Sequence, residues 1–263
     1  MKRIFKALLI LIVVGAVAGA GEAFAADVTL YVTRHGKTMF NTVHRAQGWA
    51  DTPLTPAGVE VAQKLGRGLQ TIPFIAVWSS DAGRARETAQ LVMQAWKTPL
   101  PLNERRELRE VGFGLYEGDL NNNMLNDAAH QLGFASDTAL MEAYGKGKVH
   151  VDRIIDAIRQ AEASGTPALR GIKSAGMAES YQQVAKRMVD SLTEIAQQAR
   201  QQGGGNVLVV THGLAITALL QALGDTSLNQ TLDNASVTRL RYTDSGEFVI
   251  ESINDMSYVE RGL

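Results

Sequence analysis

The sequence predicts a three-layer α/β/α fold built on a mostly parallel, doubly wound sheet, with a helical cap-like insertion over one edge. Three observations predict it. Short apolar runs of strand length alternate with segments of helical periodicity. No self-similarity recurs at a period of roughly 20–50 residues, which excludes a repeat array. Three of the apolar runs empty into a polar turn carrying an arginine or a histidine, and the carboxyl edge of an open α/β sheet is where ligands bind.

The first 25 residues stand apart from that fold. Lys2, Arg3 and Lys6 make a positive start, an apolar run from Ala7 to Ala20 follows, and Ala23-Phe24-Ala25 supplies small residues at the positions a signal peptidase reads. We expect a secretory signal peptide cleaved after Ala25, and hence a periplasmic or secreted protein. The run is shorter than the ~20 residues a spanning helix needs, so no stable membrane anchor is expected after cleavage. The folded domain is then 26–263, with the cap-like insertion at 119–176. Cysteine is absent from the chain, which excludes disulfides and thiolate metal sites. A net charge of −1 gives no support to electrostatic nucleic-acid binding, so any anion site must be local.

The first strand is Val28–Thr33, whose β-formers lead into Arg34-His35-Gly36. The Gly, Asp and Pro content from Lys37 onwards reads as loop up to Thr55, an N-cap with Pro56 in the first turn of a helix carrying Ala62, Leu65 and Leu69 on one face. Pro73 ends that segment. A second strand, Phe74–Trp78, opens into Ser79–Arg84 and a helix with Ala85, Ala89, Val92 and Trp96 at helical spacing. Leu108–Gly118 is a glycine-punctuated loop with two carboxylates. From Asp119 to Gly176 helical pieces centre on Asn126–His130, Asp137–Tyr144 and Val151–Ala163, with no strong strand. Between Ala178 and Arg200 a long amphipathic helix runs to Gly203-Gly204-Gly205. Val207–Val210 is the most apolar strand, followed by Thr211-His212-Gly213 and a helix through Leu223. Ser236–Tyr242 and Glu247–Ile253 read as an antiparallel pair around Thr243–Gly246.

In a right-handed winding, the strand ends carrying Arg34 and His35, Arg84, and His212 share one edge and converge. Two arginines and two histidines, with the amide of Asn41 nearby, would direct at least five donors at a dianion such as phosphate. The five histidines show no metal-ligand spacing, and no phosphate-binding Gly-x-x-x-x-Gly-Lys loop, dinucleotide glycine motif or Gly-x-Ser-x-Gly elbow occurs. What remains is a histidine nucleophile, since neutral imidazole can attack phosphorus and form a phosphohistidine without a metal or other cofactor.

These residues also stand in a familiar order. Thr33-Arg34-His35-Gly36-Lys37-Thr38, Asn41, Arg45, Gln47-Gly48-Trp49, Ser79-Ser80, Arg84-Ala85, Glu110, Glu117-Gly118, Glu179-Ser180, Thr211-His212-Gly213, Asn234 and Ser236 resemble the histidine phosphatase superfamily, in its phosphoglycerate-mutase-like branch 1. The likeness runs from Leu30 to Asp255. It implies that His35 is the phosphorylated nucleophile, with its other ring nitrogen held by a backbone carbonyl. It implies that Arg34, Arg84 and His212 clamp the phosphoryl oxygens, that Asn41 is a further ligand, and that Glu110 is general acid and then base. Glu117 is expected to be structural; His44, His130 and His150 match no catalytic position and are read as surface or cap residues, with substrate contact the alternative for His150, beside Lys146 and Lys148.

Phytase-like relatives carry an aspartate after the second histidine, where Gly213 stands, so the resemblance points away from them. The basic, Pro-rich segment of true cofactor-dependent mutases is also lacking: no Arg occurs between Asp119 and Arg153 and no Pro before Pro167. Hydrolysis of a phosphorylated small molecule or envelope phosphomonoester is therefore the expected activity. Mutase-type phosphoryl transfer and a non-catalytic phospho-ligand binding protein are the alternatives. The insertion's cations Lys146, Lys148, Arg153, Arg159, Arg170 and Lys173 stand either as a second anion site or as a solvated face. Nothing in the chain is diagnostic of an oligomeric state.

Overall fold

The computed structural model describes residues 27–172 and 176–263. The expected signal peptide and Lys173 lie outside the described residues. Six strands form one sheet: β1 (Val28–Arg34), β2 (Phe74–Ser80), β3 (Leu102–Arg105), β4 (Gly205–Thr211), β5 (Val237–Tyr242) and β6 (Phe248–Asp255). Their order across the sheet is β3-β2-β4-β1-β5-β6. The first four in that order are parallel, and β5 and β6 join antiparallel, as the mostly parallel, doubly wound reading anticipates.

Alternation along the central strands explains the three layers. Leu30, Val32, Val207 and Val209 point to one face, and Tyr31, Val77, Leu208 and Val210 to the other; all are buried. Strands apolar on both faces must be covered on both faces. On the second face lie α2 (Pro56–Leu69), α3 (Gly83–Met93) and a terminal α9 (Ser257–Arg261), through Leu65, Leu69, Ala85 and Ala89. The first face carries α7 (Tyr181–Gln201) and α8 (Gly213–Ala222); α6 (Val151–Ser164) packs on these, α4 (Asn121–Gln131) on α6 and α5 (Asp137–Gly145) on α4, all three within the stretch read as the 119–176 insertion. Thr55 caps α2 through the Gly58 amide, and Ser180 with Gln183 forms a capping box on α7.

Three elements differ from the sequence reading. The segment after Lys37 is not loop throughout: α1 (Met39–Thr42) is a single turn held by a Thr38–Asn41 capping box. The edge strand β3, Leu-Asn-Glu-Arg, shows no apolar alternation, because edge position exposes much of it. The short α9 gains its burial from packing on α2 rather than from periodicity of its own. Among the described residues no helix is long and apolar enough to cross a membrane.

Candidate active site

Register brings the site together. β1 and β4 are parallel neighbours with Arg34 opposite Thr211, and β2 flanks β4 with Ser79 opposite Val210, so the residues following all three strands emerge side by side. The corner after β1 is pinned on every side. The His35 amide donates to the Thr211 carbonyl at 3.0 Å, Gly36 donates to Thr88 Oγ1 at 3.0 Å, and Asn234 Nδ2 donates to the His35 carbonyl at 3.0 Å. Gly36 is required by contact: a Cβ there would sit 2.6 Å from the Gly58 carbonyl oxygen of α2.

His35 is buried, and its Nδ1 lies 2.7 Å from the Gly36 carbonyl oxygen. That oxygen can only accept, so the ring proton is assigned to Nδ1 and Nε2 carries the lone pair. On the other side Arg84 Nε donates to His35 Nε2 at 3.3 Å, consistent with that tautomer. Burial, reinforced by the charges of Arg84 and Arg34, lowers the His35 pKa well below the ordinary imidazole range. The ring is therefore neutral at physiological pH.

Arg84 is fully buried at the start of α3, and its other donors are committed. Nη1 donates to the Ala50 carbonyl at 3.0 Å and Asp51 Oδ1 at 2.8 Å; Nη2 donates to the Gln47 and Gly48 carbonyls at 3.4 and 2.7 Å. The 47–50 loop is itself gathered by Glu117, whose carboxylate accepts from Gly48, Trp49, Ala50 and Phe113 at 2.7–3.0 Å. This matches the structural role expected for Glu117. The sequence marked Arg84 as a clamp, and the geometry leaves Nε as the donor it turns toward His35.

His212 is fully buried and N-terminal to α8, with its ring 5.1 Å from that of His35. Its Nε2 is 2.7 Å from Ser80 Oγ, which also accepts from the Ala82 amide at 3.4 Å. His212 Nε2 is the acceptor within reach of the Ser80 hydroxyl among the described residues, so the hydroxyl proton is assigned to that bond, which puts the ring proton on Nδ1. Nδ1 makes no hydrogen bond within the protein, and neither does the buried Nε of Arg34, whose Nη1 is tied to the Leu232 carbonyl. Buried donors without partners are rare and call for an explanation; a bound anion would satisfy both. Burial, with Arg84 and His35 beside it, also lowers the His212 pKa well below its ordinary value.

Glu110 sits on the amino end of α8. Its Oε1 accepts from Val111 and Ala215 at 2.9 and 2.7 Å, and Oε2 from Leu214 at 3.0 Å. Burial raises its pKa, against the pull of those amides and Arg84. The loop that carries it is braced by Arg187, which bonds the carbonyls of Glu107, Arg109 and Glu110 and pairs with Glu179. Asn41 stands on α1 beside the His35 corner; its Oδ1 accepts from the Thr38 amide at 3.2 Å, which leaves its NH2 group as the free end.

The structure thus groups Arg34, His35, Arg84, Glu110 and His212, with Asn41 at the margin. Sequence reasoning gave no role to Ser80, Thr88, Asn234, Asp51 or Arg187, which hold His212, the His35 corner, Arg84 and Glu110 in place. Their signal is a partner far away in the chain, which local pattern does not carry. Among the described residues no group of three or more His, Cys, Asp or Glu is placed to hold a metal ion.

A doubly wound sheet with two histidines and two arginines gathered at its carboxyl edge places the fold in the phosphoglycerate-mutase-like class. The chain belongs to the histidine phosphatase superfamily, branch 1, whose family model matches residues 30–169 and 137–256. It is 27% identical over 244 residues to a probable phosphoglycerate mutase of Klebsiella pneumoniae strain 342, covering 88% of this chain and 94% of that one. A phosphoglycerate mutase structure from Bacillus anthracis str. Sterne superposes with a TM-score of 0.80 at 43% identity, over 90% of this chain and 97% of that one. The Bacillus stearothermophilus protein YhfR superposes with a TM-score of 0.62 at 26% identity, over 88% and 99% of the two chains.

Proposed function

We propose that the protein is a metal-independent phosphatase that hydrolyses phosphomonoesters through a phosphohistidine on His35. The observation that carries the reading is the His35 ring itself, fixed by the Gly36 carbonyl through Nδ1 so that an unprotonated Nε2 faces the site. In the first step Nε2 attacks phosphorus, the P–N bond forms and the P–O bond to the alcohol breaks. The leaving oxygen takes a proton from Glu110. Oε2, which accepts only one amide where Oε1 accepts two, is the oxygen with room to carry that proton. In the second step the Glu110 carboxylate takes a proton from water, the water oxygen attacks phosphorus, and the P–N electron pair returns to Nε2. Arg34 Nε and His212 Nδ1 stabilise the charge on the transferring group, the contribution that is usually largest. The proposal includes export, on the strength of the signal-like first 25 residues.

The names of the relatives favour a second reading, phosphoglycerate mutase activity. One experiment separates the two. The purified protein and His35→Ala are assayed with EDTA for phosphate release from a panel of phosphomonoesters at pH 5–8. They are also assayed for interconversion of 3- and 2-phosphoglycerate with bisphosphoglycerate supplied. Phosphate release that survives EDTA and vanishes in the variant supports the phosphatase; interconversion faster than release supports the mutase; neither overturns both.

A further inference from the structure

The anion site opens on one side into a pocket of about 200 Å³, and its walls describe the rest of the substrate. Arg34 and Glu110 stand at one end, where the phosphoryl group and the leaving oxygen would lie. Beyond them the walls are Met124 of α4, Met141 and Tyr144 of α5, Ile154 of α6, Leu214 of α8 and Leu232. The uncharged polar side chains of the lining are either bonded to backbone carbonyls or solvent-exposed. The Tyr144 hydroxyl donates to the Leu228 carbonyl at 3.3 Å, and the Thr217 hydroxyl to the Gly213 carbonyl at 3.0 Å. Gln230 and Thr231 are exposed. Among the described residues Arg34 and Glu110 are the only charged ones in the lining. The described cations of the insertion, Lys146, Lys148, Arg153, Arg159 and Arg170, are all exposed and none lines the pocket.

With Arg34 engaged by the phosphoryl group, a carboxylate or second phosphate entering this space would lose its hydration and meet no further cation among the described residues, which is costly. An apolar group would lose water from its own surface and from the walls, which is favourable. A cavity of ~150 Å³ with such a lining takes up a benzene ring, so the size suits an aryl ring or a branched or short linear alkyl chain. Resting on the phosphatase reading, we propose that the substrates are phosphomonoesters of apolar alcohols, and that α4–α6 form the specificity pocket for the alcohol. Small polyanionic esters such as phosphoglycerates are disfavoured by the same walls.

The test uses a homologous series in which leaving-group acidity barely changes: ethyl, butyl and hexyl phosphate, against glycerol 3-phosphate and 3-phosphoglycerate. Binding of the matching alkylphosphonates, which cannot be hydrolysed, is measured by calorimetry in parallel. Burial of each methylene is worth about a two- to fourfold factor, so kcat/KM and phosphonate affinity should both rise at least tenfold from ethyl to hexyl. Met141 is 37% exposed, so Met141→Lys can be made without burying a charge in the core. That variant should flatten the rise, and Met141→Leu should keep it. Turnover of every ester with no dependence on chain length, and a phosphonate series equally flat, would overturn the pocket assignment while leaving the phosphatase standing. Phosphonate affinity that rises with chain length while no ester is hydrolysed would overturn the phosphatase and leave the pocket as a binding site for apolar phospho-ligands.

Discussion

Arg84 Nε donates to His35 Nε2 at 3.3 Å while the other four donors of the same guanidinium are spent on Gln47, Gly48, Ala50 and Asp51. The arginine therefore does two jobs with one planar fork. It ties the 47–50 loop and the start of α3 into one unit, and it aims a fixed donor at the atom that would attack phosphorus. A bound phosphoryl group would have to share that Nε–H with His35, so nucleophile and electrophile are brought to the same donor.

Arg84→Lys separates that geometry from the charge. Lysine keeps the positive charge but offers three donors on a flexible stem and cannot reproduce the fork. Stranded carbonyls in the 47–50 loop should cost about 1–3 kcal/mol, read as a lower urea midpoint. Loss of the aimed donor should lower kcat/KM by a factor on the order of 10²–10³. Activity within a fewfold of wild type would show that charge alone suffices at this position.

Glu117→Gln tests the support beneath that unit. The carboxylate accepts four backbone amides through two oxygens, and an amide side chain must turn an NH2 group toward two of them. Donor facing donor is expected to cost about 1–3 kcal/mol. Because the loop carries the acceptors of Arg84, kcat should fall with it although Glu117 lines no part of the pocket. A stable variant with unchanged kcat would show that the loop holds its shape without the carboxylate.

Close approach between α2 and the corner after β1 gives a third test. A Cβ at Gly58 would lie 2.1 Å from the Lys37 carbonyl oxygen, so Gly58→Ala must push the helix away from the loop that carries His35. Overpacking of this kind typically costs about 1–3 kcal/mol. The expected result is a lower melting temperature together with reduced turnover, because the displaced segment is two residues from His35. Retention of both values would mean that the helix relaxes at no expense to the site.

The parts of this architecture that were legible in the sequence are those with local signatures. The apolar runs of β1 and β4 and the Thr55-Pro56 start of α2 announce themselves within a few residues, and so do the polar turns that hold His35 and His212. The edge strand β3 was not legible, since a four-residue charged strand is fixed by its neighbour β2 and not by its own pattern. Glu117 and Asn234 were marked in the sequence, but what they hold was not: Glu117 reaches back to Gly48, Trp49 and Ala50, and Asn234 to His35, across distances in the chain that no periodicity records. The insertion was legible as helices, but its cations gave no sign of which way they face. Only packing shows Met124, Met141 and Ile154 lining the pocket beside the site, with Lys146, Lys148, Arg153, Arg159 and Arg170 exposed and outside it.

Acid titration of stability supplies the last test, and its sign follows from the shifts at the three buried groups. His35 and His212 have lowered pKa values, so between their native values and ~6.5 the unfolded chain holds protons that the native protein refuses. Their contribution is complete above ~6.5 and is lost as the pH falls below it. Glu110 is raised, so its contribution runs the other way: full below the ordinary carboxylate value of ~4.3 and lost as the pH rises through its native value. Two imidazoles oppose at most one carboxyl, and stability should fall from pH 7 to pH 5. Each uncompensated proton contributes up to about 1.4 kcal/mol per pH unit. Urea unfolding at pH 5, 6 and 7 reads the slope directly. His212→Asn should make it shallower, and Glu110→Gln, which removes the opposing proton, should make it steeper. A slope unchanged in both variants would place the protons elsewhere and remove the basis for a neutral, desolvated histidine pair in the native site.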